Sequence, residues 1–111
     1  MIKYEHSKKE IIINDSNILR FNNNIESIVD FDDMIIVMLI DEQVPENNII
    51  AFDEYGNKLW DISDIIRLRY KETYVSLSRI DKNTISVISY SGLETYIDVK
   101  NKKVISQTIK K

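Results

Sequence analysis

The chain has 111 residues, of which 43% are hydrophobic and 30% charged, a balance that supports one packed domain and excludes wholesale disorder. It has no cysteine and one histidine, His6, so disulfides and thiolate metal sites are excluded and no second imidazole is present. The net charge of −3 opposes nucleic-acid binding, because phosphate contacts dominate the affinity of such proteins.

Runs rich in isoleucine, valine and aromatic residues, separated by polar turns, predict short β-strands. In chain order these strands are 10–13, 18–21, 25–30, 34–40, 49–52, 58–61, 74–79, 84–90, 94–98 and 103–109. Alanine occurs once, at Ala51, which argues against a helical protein. We therefore expect one mainly β domain over residues 1–111: an antiparallel meander of about eight to ten short strands, arranged as a curved sheet, a sandwich or a partial barrel.

Two segments stand out from this pattern. Residues 34–40 are apolar at every position, which predicts a central strand with both faces covered. Residues 62–70 instead place Ile62, Ile65, Ile66 and Arg69 at helical spacing, with Ser63 as a possible N-cap. One short helix is therefore expected near 62–70, packed on a face of the sheet.

A weak internal repeat relates residues of about 25–61 to 74–109. The stretches 52–60 and 97–105 both read as an apolar residue, an aspartate, a turn, a lysine and an apolar pair. The first stretch, with Asp53, Gly56 and Trp60, resembles the quinoprotein-type propeller repeat. That resemblance implies blade-like hairpins, but two units are too few to close a propeller, and the cofactor-binding residues of quinoproteins have no counterparts here. A hairpin with an unrelated Asp-x-x-Gly turn would look the same.

The layout of two similar hairpin units also resembles small bacterial β-proteins, some of them encoded beside toxins. Charge is unevenly distributed along it: residues 26–64 carry eleven acids and one base, whereas residues 65–111 carry a net charge of +6. Two interpretations stay open. The acids could form one face that steers a basic partner, or strands from the two halves could interleave so that the charges cancel.

Candidate chemistry is sparse, and we predict no catalytic, cofactor-binding or metal-binding residues. Asp30, Asp32 and Asp33 lack the spacing of a calcium loop and are explained by turn formation. No Gly-x-Ser-x-Gly elbow is present, and the only glycines, Gly56 and Gly92, cannot form a phosphate-binding loop. The basic and aromatic residues of 67–74 are interpreted as a solvated face, and Trp60, which could anchor an interface, as a core residue.

By elimination, the expected function is non-catalytic binding of another protein. Small size and acidity suggest an immunity or antitoxin-type protein that occludes the active site of a basic bacterial toxin; the alternative is a structural or oligomer-forming module related to propeller blades. No nucleic-acid or membrane partner is expected. The longest apolar run is too short to span a bilayer and the N-terminus lacks an apolar signal core, so the cytoplasm is the expected compartment. The predicted partner-binding residues are Asp32, Asp33, Asp41, Glu42 and Glu46.

Overall fold

A computed structural model describes residues 2–40, 47–66 and 72–109. They form three antiparallel sheets that do not close into a barrel. The strands are β1 Tyr4–His6, β2 Glu10–Ile13, β3 Asn17–Arg20, β4 Ile25–Asp30, β5 Met34–Leu39, β6 Ile49–Asp53, β7 Lys58–Asp61, β8 Tyr74–Arg79, β9 Thr84–Ser89, β10 Leu93–Asp98 and β11 Lys103–Ile109. The predicted β class and meander topology are confirmed, and only β1 was not anticipated.

The sheets follow one another along the chain. The first sheet has the order β1-β2-β3, the middle sheet β4-β5-β6-β7 and the third sheet β8-β9-β10-β11. Each is a meander, because short turns favour pairing between consecutive strands. The two predicted repeat units coincide with the middle and third sheets, which share the same strand order.

Two hydrophobic cores hold the sheets together as layers. One core joins the first and middle sheets through residues such as Ile11, Ile13 and Val37. The other joins the middle and third sheets through residues such as Ile36, Trp60 and Val87. The interpretation of Trp60 as a core residue is therefore correct.

Strand β5 contributes to both cores, as predicted for a central strand. Met34, Ile36 and Met38 lie in the core shared with the third sheet, and Ile35 and Val37 lie in the core shared with the first. Successive side chains of a strand point to opposite faces, so an uninterrupted apolar run is stable only when both faces are covered.

Within the described residues, the helix expected near 62–70 is a single turn. A single turn of 3-10 helix spans Ile62–Asp64, and residues 67–70 lie outside the described part of the chain. Its N-cap is Asp61 and not Ser63, whose hydroxyl instead donates a 2.7 Å hydrogen bond to the Asp61 carboxylate. Ile62 and Ile66 are buried in the core between the middle and third sheets, so the periodicity did identify the packed face.

Asp61 lies where β7 meets this turn, and its environment predicts a loss of stability in acid. Burial alone would raise the pKa of Asp61, but hydrogen bonds from Lys58, Ser63 and Asn47 outweigh it and lower the pKa from 3.8 to about 2. The unfolded chain therefore binds the proton more readily than the folded protein. We expect Asp61 to contribute about 2 kcal/mol to the free energy of unfolding above pH 4, lost progressively as the pH falls towards 2.

Urea unfolding between pH 2 and 7 measures this contribution. In Asp61→Asn the free energy of unfolding should be lower at pH 7 and should change less between pH 4 and 2 than in the parent. Glu5→Gln, at an exposed carboxylate, is the matched control and should keep the parental pH dependence. Equal acid sensitivity in Asp61→Asn and the parent would contradict the assignment.

Candidate functional site

Five hairpin turns lie at one end of the stacked sheets. Within each four-stranded meander, the first and third turns must share an end, which here carries the β4–β5, β6–β7, β8–β9 and β10–β11 turns. The β2–β3 turn joins them, since the Asn14 Nδ2 donates a 3.4 Å hydrogen bond to the Glu54 carbonyl of the β6–β7 turn. Pairing of Met34 with Asp53 places the β4–β5 turn beside the β6–β7 turn.

Three of these neighbouring turns form an acidic ridge. It consists of Asp15 in the β2–β3 turn, Asp32 and Asp33 in the β4–β5 turn, and Asp53 and Glu54 at the β6–β7 turn. Residues 14–16, 31–34 and 53–57 contain no lysine or arginine, and the nearest base along the chain, Lys58, is bound to Asp61 at 2.7 Å. The ridge therefore presents five carboxylates with no counter-charge in its own turns.

Local hydrogen bonds give the ridge a defined shape. Burial tends to raise the pKa of Asp53, but hydrogen bonds from Asn57, Tyr55 and the amide of Gly56 outweigh it and lower the pKa. Asp53 Oδ1 accepts both the Tyr55 amide at 2.9 Å and the Asn57 amide at 2.8 Å. Gly56 has a positive φ of 85°, a backbone conformation that residues with a side chain rarely adopt. Glycine at this position therefore allows the tight turn. Asp53 is consequently ionised and held in place at neutral pH.

A basic rim faces the ridge across a cleft of about 260 Å³. Arg79, Lys82 and Lys100 of the third sheet line one side, and Asp32 and Asp33 line the other. The Arg79 guanidinium is fixed, since its Nη1 donates a 2.7 Å hydrogen bond to the Asp30 carbonyl and its Cζ lies 4.7 Å from the centre of the Phe31 ring. The end of the molecule thus combines an acidic strip with a smaller basic one.

The layout of the sheets shows whether strands from the two halves of the chain interleave, as one interpretation of the uneven charge required. Strands from the two halves of the chain do not interleave: residues 25–61 form the middle sheet and residues 74–109 form the third. Among the described residues, 26–64 carry eight acids and one base, whereas 72–109 carry five bases and four acids, so the asymmetry between these layers is smaller than the asymmetry along the sequence. The expected interleaving of strands from the two halves is therefore wrong, although acidic and basic residues of the two halves do face each other across the cleft.

The predicted partner-binding residues divide into two groups. Asp32 and Asp33 are exposed on the acidic ridge. Asp41, Glu42 and Glu46 lie outside the described residues, in the connection that follows the opposite end of β5. Because β5 has six residues, its two ends lie about 20 Å apart. Most of the basic and aromatic stretch 67–74 also lies outside the described residues.

Sequence reasoning missed three members of the ridge and the basic rim. Asp15, Asp53 and Glu54 belong to turns that are distant along the chain, and only the stacking of sheets brings them beside Asp32 and Asp33. Within residues 2–40, 47–66 and 72–109 there is no group of three or more acidic or histidine side chains arranged to hold a metal. The same residues include no helix long and apolar enough to cross a bilayer.

Comparison with protein families places nearly the whole chain in one of them. Residues 1–109 match a family described as a domain of unknown function, DUF7957. No curated protein matches the chain. The match extends over nearly all of the sequence and includes all three sheets.

Proposed function

We propose that this chain, which belongs to the DUF7957 family, is a non-catalytic domain that binds a basic surface of another protein. The family description names no activity, so the proposal is based on the acidic ridge. The observation that carries this proposal is the clustering of five carboxylates on three adjoining turns without a base among them. Turns held by a rigid sheet scaffold are common binding elements, since they project side chains without disturbing the core.

Electrostatics explain how such a ridge would act. Like charges held together create a local potential that attracts a cationic partner and speeds the encounter, and this effect weakens as salt screens it. A backbone hydrogen bond closes each turn of the ridge: the amides of Ser16, Phe31 and Gly56 donate to the carbonyls of Ile13, Met34 and Asp53. A ridge held in this way loses little conformational freedom on binding. The basic rim at Lys82 and Lys100 adds positive charge beside the acidic ridge. Two neighbouring strips of opposite charge would fix the orientation of the partner.

In its finer form, we propose an immunity-type protein that neutralises a bacterial toxin by covering its active site. A toxin that cleaves nucleic acid must offer a basic cleft to phosphate groups. A rigid row of carboxylates has the charge to compete for that cleft. The resemblance of the chain to small bacterial β-proteins, some of them encoded beside toxins, also supports this proposal.

A second candidate is a structural or oligomer-forming module related to propeller blades. It is favoured by β11, an edge strand of seven residues whose side chains are all exposed, including Val104, Ile105 and Ile109. Exposed edges can pair with another chain. The solution molar mass separates the candidates: a monomer over a range of micromolar concentrations favours the ridge, and a defined oligomer favours the module.

Charge reversal on the ridge tests the main proposal. With the product of an adjacent toxin gene as the partner, stopped-flow mixing at low salt should show that Asp32→Lys/Asp33→Lys slows association about tenfold or more, because it replaces attraction by repulsion. Raising the salt concentration should bring the association rates of the variant and the parent closer together, because salt screens both the attraction and the repulsion.

The triple variant Asp41→Lys/Glu42→Lys/Glu46→Lys is the comparison. It changes the net charge more than the double variant, yet leaves the ridge intact. If the ridge is the contact, the double variant should slow association more than the triple. An association rate that is the same in the double variant and the parent would overturn the proposal.

A further inference from the structure

A second surface lies at the end of the sheets opposite the acidic ridge. Strand β4 is one edge of the middle sheet and β8 is one edge of the third, and each contains a β-bulge at this end. In β4 the pairing with β5 skips Glu26, and in β8 the pairing with β9 skips Val75. A bulge turns its extra side chain away from the regular alternation, and bulges concentrate at sheet edges beside functional sites.

Both bulged residues line the same groove. Its volume is about 350 Å³, and its walls include Met38 and Ile40 from the β5 side and Tyr74, Val75 and Tyr90 from the third sheet. Three of these side chains remain open to solvent: Ile40 is 47% exposed, Val75 50% and Tyr90 76%. An apolar groove of this kind, with aromatic and aliphatic walls, is the usual form of a recognition pocket.

Glu26 is the single charged residue among the described residues that line the groove. It is exposed, and no lysine or arginine of the described ranges lies within ion-pair distance of its carboxylate. The groove therefore offers an apolar seat with a carboxylate beside it. A ligand that complements both features carries an apolar side chain next to a positive charge.

We propose that this groove binds a short peptide segment of another protein, in which a leucine-like or aromatic side chain enters the groove and an adjacent lysine or arginine contacts Glu26. The volume suits one or two side chains. This site is separate from the acidic ridge, because Ile40 follows the end of β5 whereas Asp32 and Asp33 precede its beginning. The inference therefore stands independently of the proposed function.

Backbone NMR of the intact protein with synthetic peptides tests the site. The probe is a blocked eight-residue peptide with two leucines and two lysines in a serine background. We expect saturable shifts at the amides of Glu26, Ile40, Val75 and Tyr90. A peptide with serine in place of both leucines, and one with glutamate in place of both lysines, should fail to shift them.

Substitutions at exposed positions test the groove and supply a matched control. Glu26→Lys should lower the affinity for the leucine–lysine peptide about fivefold, and Val75→Ser should lower this affinity by a similar factor. Glu5→Lys, which makes the same charge change at an exposed carboxylate outside both the groove and the ridge, should leave this binding unchanged. Shifts confined to the acidic ridge, or an affinity unaffected by Glu26→Lys, would overturn the proposal. Shifts at groove residues that depend on protein concentration without peptide would also overturn it, since they would assign the groove to a second copy.

Discussion

Replacing Val37 by aspartate is expected to lower the free energy of unfolding by several kcal/mol, enough to unfold a domain of ordinary stability. Val37 is fully buried in the core between the first and middle sheets, with Ile28 and Ile50 opposite it on the flanking strands. A carboxylate there loses its hydration, and the apolar core around Val37 cannot replace it. Urea unfolding followed by the fluorescence of Trp60, the single and buried tryptophan, measures the change.

Two further variants distinguish the effect of a polar group buried at position 37 from the effect of a charge placed on the surface. Val37→Thr keeps the shape of valine and should destabilise by about 1–3 kcal/mol through burial of a hydroxyl group. Ile105→Asp, on the exposed β11, should alter the free energy of unfolding by about 0.5 kcal/mol or less. If Val37→Asp unfolds at the same urea concentration as the parent, β5 is not the shared centre of the two cores.

Asn48 is the second position where a single substitution should have a large effect. Its side chain is buried and joins two sheets: Nδ2 donates to the Leu39 carbonyl at 2.7 Å and to the Tyr74 carbonyl at 3.0 Å, and Oδ1 accepts the Tyr74 amide at 3.0 Å. Asn48→Leu removes all three hydrogen bonds while keeping the approximate size. Because buried backbone groups then lose their partners, we expect a destabilisation of about 3 kcal/mol or more.

Aspartate at the same position provides a sharper comparison. In Asn48→Asp the acceptor for the Tyr74 amide survives, but a carboxylate oxygen faces two carbonyl oxygens in place of the amide donor. That variant should be at least as unstable as Asn48→Leu at pH 7 and should recover part of the loss in acid, where the protonated acid can donate again. Asn22→Leu, at an exposed asparagine, should unfold close to the parent. Parental stability in Asn48→Leu would show that Asn48 does not join the sheets.

The sequence predicted most strands because alternation and turn residues act locally. Strands 10–13, 25–30, 58–61, 74–79 and 103–109 have the predicted bounds. Strand β1 was missed because Tyr4, Glu5 and His6 show no apolar alternation, and their conformation depends on pairing with residues 11–13 of β2. Within the described residues the helical spacing yields only one 3-10 turn, Ile62–Asp64, because a single turn is enough to pack Ile62 and Ile66 in the core.

The site was less accessible to sequence reasoning than the fold. The acidic bias around Asp32 and Asp33 is visible in the sequence, but their proximity to Asp53 and Glu54 requires the register of β5 with β6. The groove was not anticipated, because its defining residues, Glu26 and Val75, are placed by bulges that no short pattern predicts. The role of Asn48 was hidden for a similar reason, as its partners lie 9 and 26 residues away.

The two-sided burial of β5 also has a consequence for folding. In a strand with one polar face, a slip of one residue exposes apolar side chains, and this penalty selects the correct pairing. A slip of β5 would only exchange its two apolar sets, Met34, Ile36 and Met38 against Ile35 and Val37, between the two cores. The hydrophobic pattern of β5 alone therefore favours the native register with its neighbouring strands only weakly over a register shifted by one residue. The information that selects the native alignment must come from its ends, where the Asp32–Asp33 turn precedes β5 and the Leu39 amide bonds the Asn48 carbonyl at 2.8 Å.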